Sequence, residues 1–224
     1  MKKASLASTL CFFVLCGLAV PKAACAAALT SGATLVAPLG EVDPVGGNPI
    51  GSLIQPFSSP GSVSGRLISQ VISGDPSNAL GGLTFVYFLV NDGAAGPHSI
   101  GRLSVDDFAG WQVDASYQTT SVGIAPGSID RQPSGDVVGF NFLPTGFDPL
   151  TGFLAPGATS RKLVLQTNAL RYTNVMASII NGGVTQAASF GPAPVPEPST
   201  LLLAALAGLG LLAVRFKAHR HVGR

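Results

Sequence analysis

Side chains able to do chemistry are scarce in this chain. Of its three histidines, His219 and His221 sit in a basic terminus, which leaves His98 as the imidazole of the long central stretch. A Ser-His-acid relay there would have to use it. His98 follows Gly96-Pro97 in a turn-like setting, where an imidazole is usually solvated. Asp106 and Asp107 are adjacent and in a strand would point to opposite faces, so they cannot act as a facing acid and base. The pair reads as a strand end or turn, and it lacks the alternating oxygen ligands and closing acid of a calcium loop. Cys11, Cys16 and Cys25 all precede residue 27, so the rest of the chain has no thiol for a nucleophile, a disulfide or a zinc-thiolate site. Trp111, Tyr117 and Tyr172 offer ring faces on which a sugar can stack, although a lone tryptophan in a β domain is more often core. Gly61-Ser62-Val63-Ser64-Gly65 has valine where a nucleophile elbow needs serine. No catalytic, cofactor-binding or metal-binding residue is assigned, and the chain reads as a non-enzyme.

The residues with the clearest instruction lie at the C-terminus. Pro196, Glu197, Pro198 and Ser199 precede an apolar run over 201–214 that includes Leu201, Leu202, Leu203, Leu206, Leu209, Leu211, Leu212 and Val214. Arg215, Lys217 and Arg220 follow. As a helix the run rises roughly 21 Å, short of the ~30 Å hydrocarbon core of a bilayer. Ser199 and Thr200 can cap its start, and snorkelling by Arg215 and Lys217 lengthens the buried part enough to span. With no polar face, the run does not divide into wet and dry sides as a helix packed on a soluble domain does. The basic cluster fixes the topology, with the cations cytoplasmic and everything before Pro196 outside.

The N-terminus agrees. Lys2 and Lys3 precede an apolar stretch containing Phe12, Phe13, Val14 and Leu15, and Ala24-Cys25-Ala26 supplies a small-x-small cleavage site. Residues 1–26 read as a secretory signal peptide, cut after Ala26, with Ala28 as the competing position. A lipoprotein reading of Cys25 is opposed by Lys22, which stands where that signal wants an aliphatic residue.

Both ends together resemble the PEP-CTERM proteins of Gram-negative bacteria. The likeness is carried by Val195-Pro196-Glu197-Pro198-Ser199-Thr200, the leucine-rich run and the basic end beginning at Arg215, about thirty residues in a fixed three-part order. It implies recognition and processing near Pro196–Ser199 by an exosortase, a membrane-embedded protease, and passage to the cell surface or extracellular matrix. The central region is also similar to ectodomains found in front of such tails, through Phe85-Val86-Tyr87, residues 103–110, Val138-Gly139-Phe140-Asn141-Phe142 and Leu165-Gln166-Thr167-Asn168-Ala169. That likeness implies fold and location, and no activity.

Composition describes the part that must carry any function outside. The whole chain has a formal charge of +2, but seven of its thirteen basic residues fall in the two signals. Residues 27–200 keep six basic against eleven acidic side chains, a net charge of −5. Nucleic acid is a poor partner for such a surface. About 165 residues suffice for a core without disulfides.

The elements in that region read as β. Residues 83–90, rich in β-branched and aromatic side chains between Gly81-Gly82 and Asn91-Asp92-Gly93, form the strongest strand, apolar on both faces and therefore central. Further strands are expected at 63–72, 100–105, 112–117, 137–143, 162–167, 173–180 and 184–190. Strand 162–167 alternates enough to be half exposed. Asn181-Gly182 is the most hairpin-like turn, whereas 43–60, dense in Gly, Pro and Ser, reads as a long loop or an edge hairpin. The expected fold class is all-β, a β-sandwich or jelly-roll-like ectodomain over 27–190. A Pro-rich stalk over 191–200, a transmembrane helix over 201–214 and a cytoplasmic tail over 215–224 complete the organisation. Pro192, Pro194, Pro196 and Pro198 favour an extended stalk. Two functions fit: a structural or adhesive surface protein, anchored in the inner membrane, facing the periplasm and then meeting a polysaccharide matrix, or a secreted carbohydrate-active or hydrolytic domain with the same address.

Overall fold

The computed structural model describes residues 26–42, 44, 46–94, 98–144 and 151–194. They contain no helix. The strands are β1 (Ala27–Ala28), β2 (Thr34–Val36), β3 (Gly40–Glu41), β4 (Asn48–Ser59), β5 (Val63–Ser73), β6 (Thr84–Asn91), β7 (Arg102–Val105), β8 (Val113–Gln118), β9 (Ser128–Arg131), β10 (Val138–Asn141), β11 (Leu163–Thr167), β12 (Tyr172–Ile180) and β13 (Val184–Pro192).

Two sheets form a sandwich. One runs β1-β8-β11-β6-β5-β4, and the other runs β13-β12-β7-β10-β9-β2. Every named strand pairing is antiparallel except that of β3, which lies parallel to β8 beyond the part of its edge covered by β1. The register sets Ala115, Leu165 and Phe85 in one row and Tyr117, Leu163 and Tyr87 in the next. Facing them from the second sheet are Leu103, Val105, Ile129, Val138, Phe140, Ala177 and Ile179. Removing a side chain such as Phe or Leu from water contributes roughly 1.5–3 kcal/mol. Phe85 meets Phe108 edge-on, with centroids 5.9 Å apart, and Tyr87 meets Phe140 across the core at 6.5 Å. The buried Tyr87 phenol, its pKa pushed up by burial, donates a hydrogen bond of 2.8 Å to the Phe190 carbonyl.

β6 is central, as its two apolar faces require, and the Asn181-Gly182-Gly183 segment turns the β12–β13 hairpin with Gly182 at φ +100°. Two expectations change. β11 is buried along its whole length. It lies between β6 and β8, and its outer face is covered where Gln166 reaches Ser77 in the loop from β5 to β6 (Nε2–Oγ 2.9 Å). The Gly- and Pro-rich stretch before residue 60 is not a long loop; it belongs to an edge hairpin, the other reading, but supplies only one arm of it. Twelve of its residues form β4, the outer arm of a hairpin with β5. The edge position explains this, because Pro49 and Pro56 have no N–H to give and an edge strand can leave that side unpaired; the register also slips between Pro49 and Gly51.

Candidate functional site

The chain leaves the sandwich at a fixed point. β13 ends at Pro192, beside Tyr172 in register, and the Ala193 amide then donates to the Arg171 carbonyl at 3.0 Å. Tyr172 stacks edge-on against Phe190 at 5.2 Å, and its hydroxyl donates to the Ile50 carbonyl at 2.9 Å, tying the exit to the start of β4. That pairing takes up both polar and apolar parts of Tyr172. The sorting residues Pro196, Glu197, Pro198 and Ser199, the apolar run from Leu201 to Val214 and the cations Arg215, Lys217 and Arg220 lie outside the described residues, as does the N-terminal signal up to Cys25.

A groove of about 430 Å³ opens at the same end of the sandwich, on the opposite edge. Its walls come from four places in the sequence: Thr30 and Ser31 after β1, Leu80 from the β5–β6 loop, Trp111 and Gln112 leading into β8 with Asp114 in it, and Arg131 at the end of β9. Arg131, only 5% exposed, fixes these walls from beneath. It donates to the carbonyls of Leu29 (3.1 Å), Phe108 (2.7 Å), Trp111 (2.9 Å) and Gly135 (2.9 Å). Burial lowers its pKa, and the carbonyl dipoles take the place of a carboxylate partner. The Gln112 amide is held by Asn168 Oδ1 at 2.9 Å. Trp111 is thus half-buried on a braced turn, while Tyr117 lies under the Arg161 guanidinium, 5.8 Å from its ring centre.

The carboxylates near this end crowd together. β7 stops at Val105, and Asp106 and Asp107 follow it directly, Asp107 with φ +71°, the strand-end reading of that pair, with the turn itself at Ala109 and Gly110. Burial raises the Asp106 pKa, helped by the charges of Asp136 and Asp107. Asp114 is raised by burial alone. Among the described residues no group of three or more His, Cys, Asp or Glu is placed to hold a metal ion.

His98 lies at the far end. Its Nδ1 is 3.0 Å from Ser62 Oγ, and Asn181 Nδ2 donates to the same oxygen at 2.5 Å. With Asn181 donating, Ser62 can give its own proton to Nδ1, which places the imidazole proton on Nε2. The nearby Asp92 carboxylate does not orient this pair. It accepts from Ser64 and from the Ala94 amide, which lower its pKa. The contacts join the β4–β5 and β12–β13 hairpin tips to the segment holding His98, a tether between the sheets. Arg131 carries no warning in the sequence, and Ser62 and Asn181 read there only as loop and turn residues, since their roles depend on partners distant in the chain.

Residues 194–218 match the family model of the PEP-CTERM protein-sorting motif. The chain carries a PEP-CTERM sorting signal. The match begins at Pro194, two residues after β13 ends at Pro192 and one after Ala193, whose amide makes the last backbone hydrogen bond among the described residues. The motif implies processing by an exosortase, and proteins that carry it are exported to the cell envelope or surface. No curated protein and no solved structure matches the chain.

Proposed function

We propose that this PEP-CTERM protein is a non-enzymatic component of the cell surface or extracellular matrix, with its β-sandwich acting structurally or adhesively. Residues 1–26 direct secretion, and a cut after Ala26 leaves β1 whole beside Ala115 and Asp114, whereas a cut after Ala28 removes both of its residues. The run over 201–214 then holds the chain in the inner membrane, basic end inward and sandwich in the periplasm. Exosortase trims the chain near Pro196–Ser199 and passes the domain outward. The observation that carries this reading is the sorting-motif match at 194–218, which begins two residues after the end of β13.

Deleting residues 196–224 is expected to move the protein from the membrane fraction to the soluble periplasm, followed by fractionation and immunoblotting. A truncated protein that still sediments with membranes overturns the anchoring. The hydrolytic alternative would have to rest on Ser62 and His98, and among the described residues that pair has no acid on the imidazole; the tether role accounts for it more simply.

A further inference from the structure

We propose that the Trp111 groove binds a neutral polysaccharide, with the indole as stacking platform and Gln112 and Asp114 as hydrogen-bonding partners for sugar hydroxyls. The proposal deepens the adhesive reading above and rests on it. Three observations converge.

First, the only tryptophan of the chain is left half-exposed in a concavity, although a core of fully buried aromatic and aliphatic side chains lies beside it. Secondly, the walls are braced before any ligand arrives. Arg131 spends its donors on four carbonyls that include those of Leu29 and Trp111, and Asn168 holds the Gln112 amide. A rigid platform spares the ordering cost that flexible sites incur on binding. Thirdly, the Asp114 carboxyl makes no side-chain hydrogen bond or ion pair among the described residues, and burial raises its pKa. Such an acceptor gains when sugar hydroxyls replace the water it has partly lost. Gln112 is exposed and offers both a donor and an acceptor.

The charge around the groove selects the class of sugar. Asp106, Asp107 and Asp136 crowd the same end, and Arg131, which also lines the groove, spends four of its five N–H donors on backbone carbonyls. A uronate or sulfated polymer would meet the repulsion of these carboxylates and of Asp114, against a single guanidinium largely committed to the backbone. A neutral hexose polymer meets a flat apolar face flanked by acceptors, which matches the amphipathic faces of its rings.

The sole tryptophan makes the test direct. The full chain, held in a zwitterionic detergent that contains no sugar, is titrated with neutral gluco-, galacto- and manno-hexaoses and with hexagalacturonate while indole emission is followed. At least one neutral hexaose is expected to give a saturable shift, with hexagalacturonate giving none. In calorimetry Trp111→Ala is expected to weaken that binding roughly thirtyfold, and Asp114→Asn to weaken it less. Leu170→Ala, 77% exposed and absent from the groove walls, is expected to leave it unchanged. Thermal melting of each variant checks that the fold is retained, and Trp111→Phe, which keeps a ring, is expected to recover part of the affinity. Absence of a saturable response to all three neutral hexaoses overturns the proposal, as does preference for hexagalacturonate or wild-type affinity in Trp111→Ala. Membrane retention of the same full-length protein, read separately, shows whether the sorting reading stands when sugar binding fails.

Discussion

At Gly139 the outer face of the second sheet gives up a side chain so that Arg102 can lie across it. A Cβ at this position would come within 1.9 Å of Arg102 Nη2. The guanidinium is bidentate on Asp130 (2.5 and 2.8 Å) and also donates to Asn141 Oδ1 (2.6 Å) and Ser104 Oγ (2.8 Å). Because the tip of an arginine can swing away, Gly139→Ala is expected to cost what those contacts contribute and no more. With both side chains 22% exposed, water replaces part of the loss, leaving about 1 kcal/mol. Burial pushes the Asp130 pKa up, but hydrogen bonds from Arg102 and Asn141 together with the Arg102 charge outweigh it, so the net shift is downward. A carboxylate lowered in the folded state stabilises fully above its unfolded pKa of about 3.9 and loses that contribution as pH falls through the lower folded value. Urea denaturation over that acidic window should therefore show a steeper loss in the parent than in Gly139→Ala. Adding Arg102→Met to the glycine variant should change little further; a full additive loss would show that Gly139 does not act through Arg102.

Among the elements, β4 best shows where local rules need a tertiary context. Strands β5, β6, β12 and β13 are legible because long β-branched and aromatic runs are bounded by Gly, Asn and Pro, and those signals agree with the final packing. In β4, Pro49, Gly51 and Pro56 read as breakers, yet a strand at the rim has one side whose hydrogen bonds no neighbour requires. The short β9 gives no such signal, with Ile129 as the single apolar side chain of Ser128–Arg131. The groove was equally hidden. Trp111 could be singled out by residue type, but Thr30, Leu80 and Arg131 come from distant segments and reach it only through the sheet order. The prolines of β4 also have a protective consequence. Ile50 and Ile54 are exposed along this twelve-residue rim, and the missing amides spoil it as a template for another chain. Replacing Pro49 and Pro56 together with threonine is expected to raise the proportion of dimers and aggregates seen by multi-angle light scattering, with little change in melting temperature. A double variant that stays as monodisperse as its parent would remove this role from the prolines.

Across the whole molecule, the chain exit and the Trp111 groove share one end of the sandwich, so the proposed anchoring and the proposed binding would be geometrically linked. Pro192 and Pro194 lead outward from that end, and the alternating prolines that follow in sequence favour an extended stalk. A polyproline rise of about 3.1 Å per residue, which the spacing of these prolines in the sequence favours, would give the eight residues between Pro192 and Leu201 a reach of roughly 25 Å. On the proposed anchoring, the groove would face the bilayer across a gap of that size, wide enough for a small solute and too narrow for a swollen polymer. Release from the tail would open it. Indole emission again reports the state, because Trp111 is the one tryptophan. In lipid vesicles holding the anchored protein, acrylamide is expected to quench Trp111 as well as it does in the form lacking residues 196–224. The same quenching group carried on a large dextran is expected to reach the truncated form several-fold better than the anchored one. Equal quenching of both forms by the dextran would place the groove away from the membrane and break the link between sorting and binding.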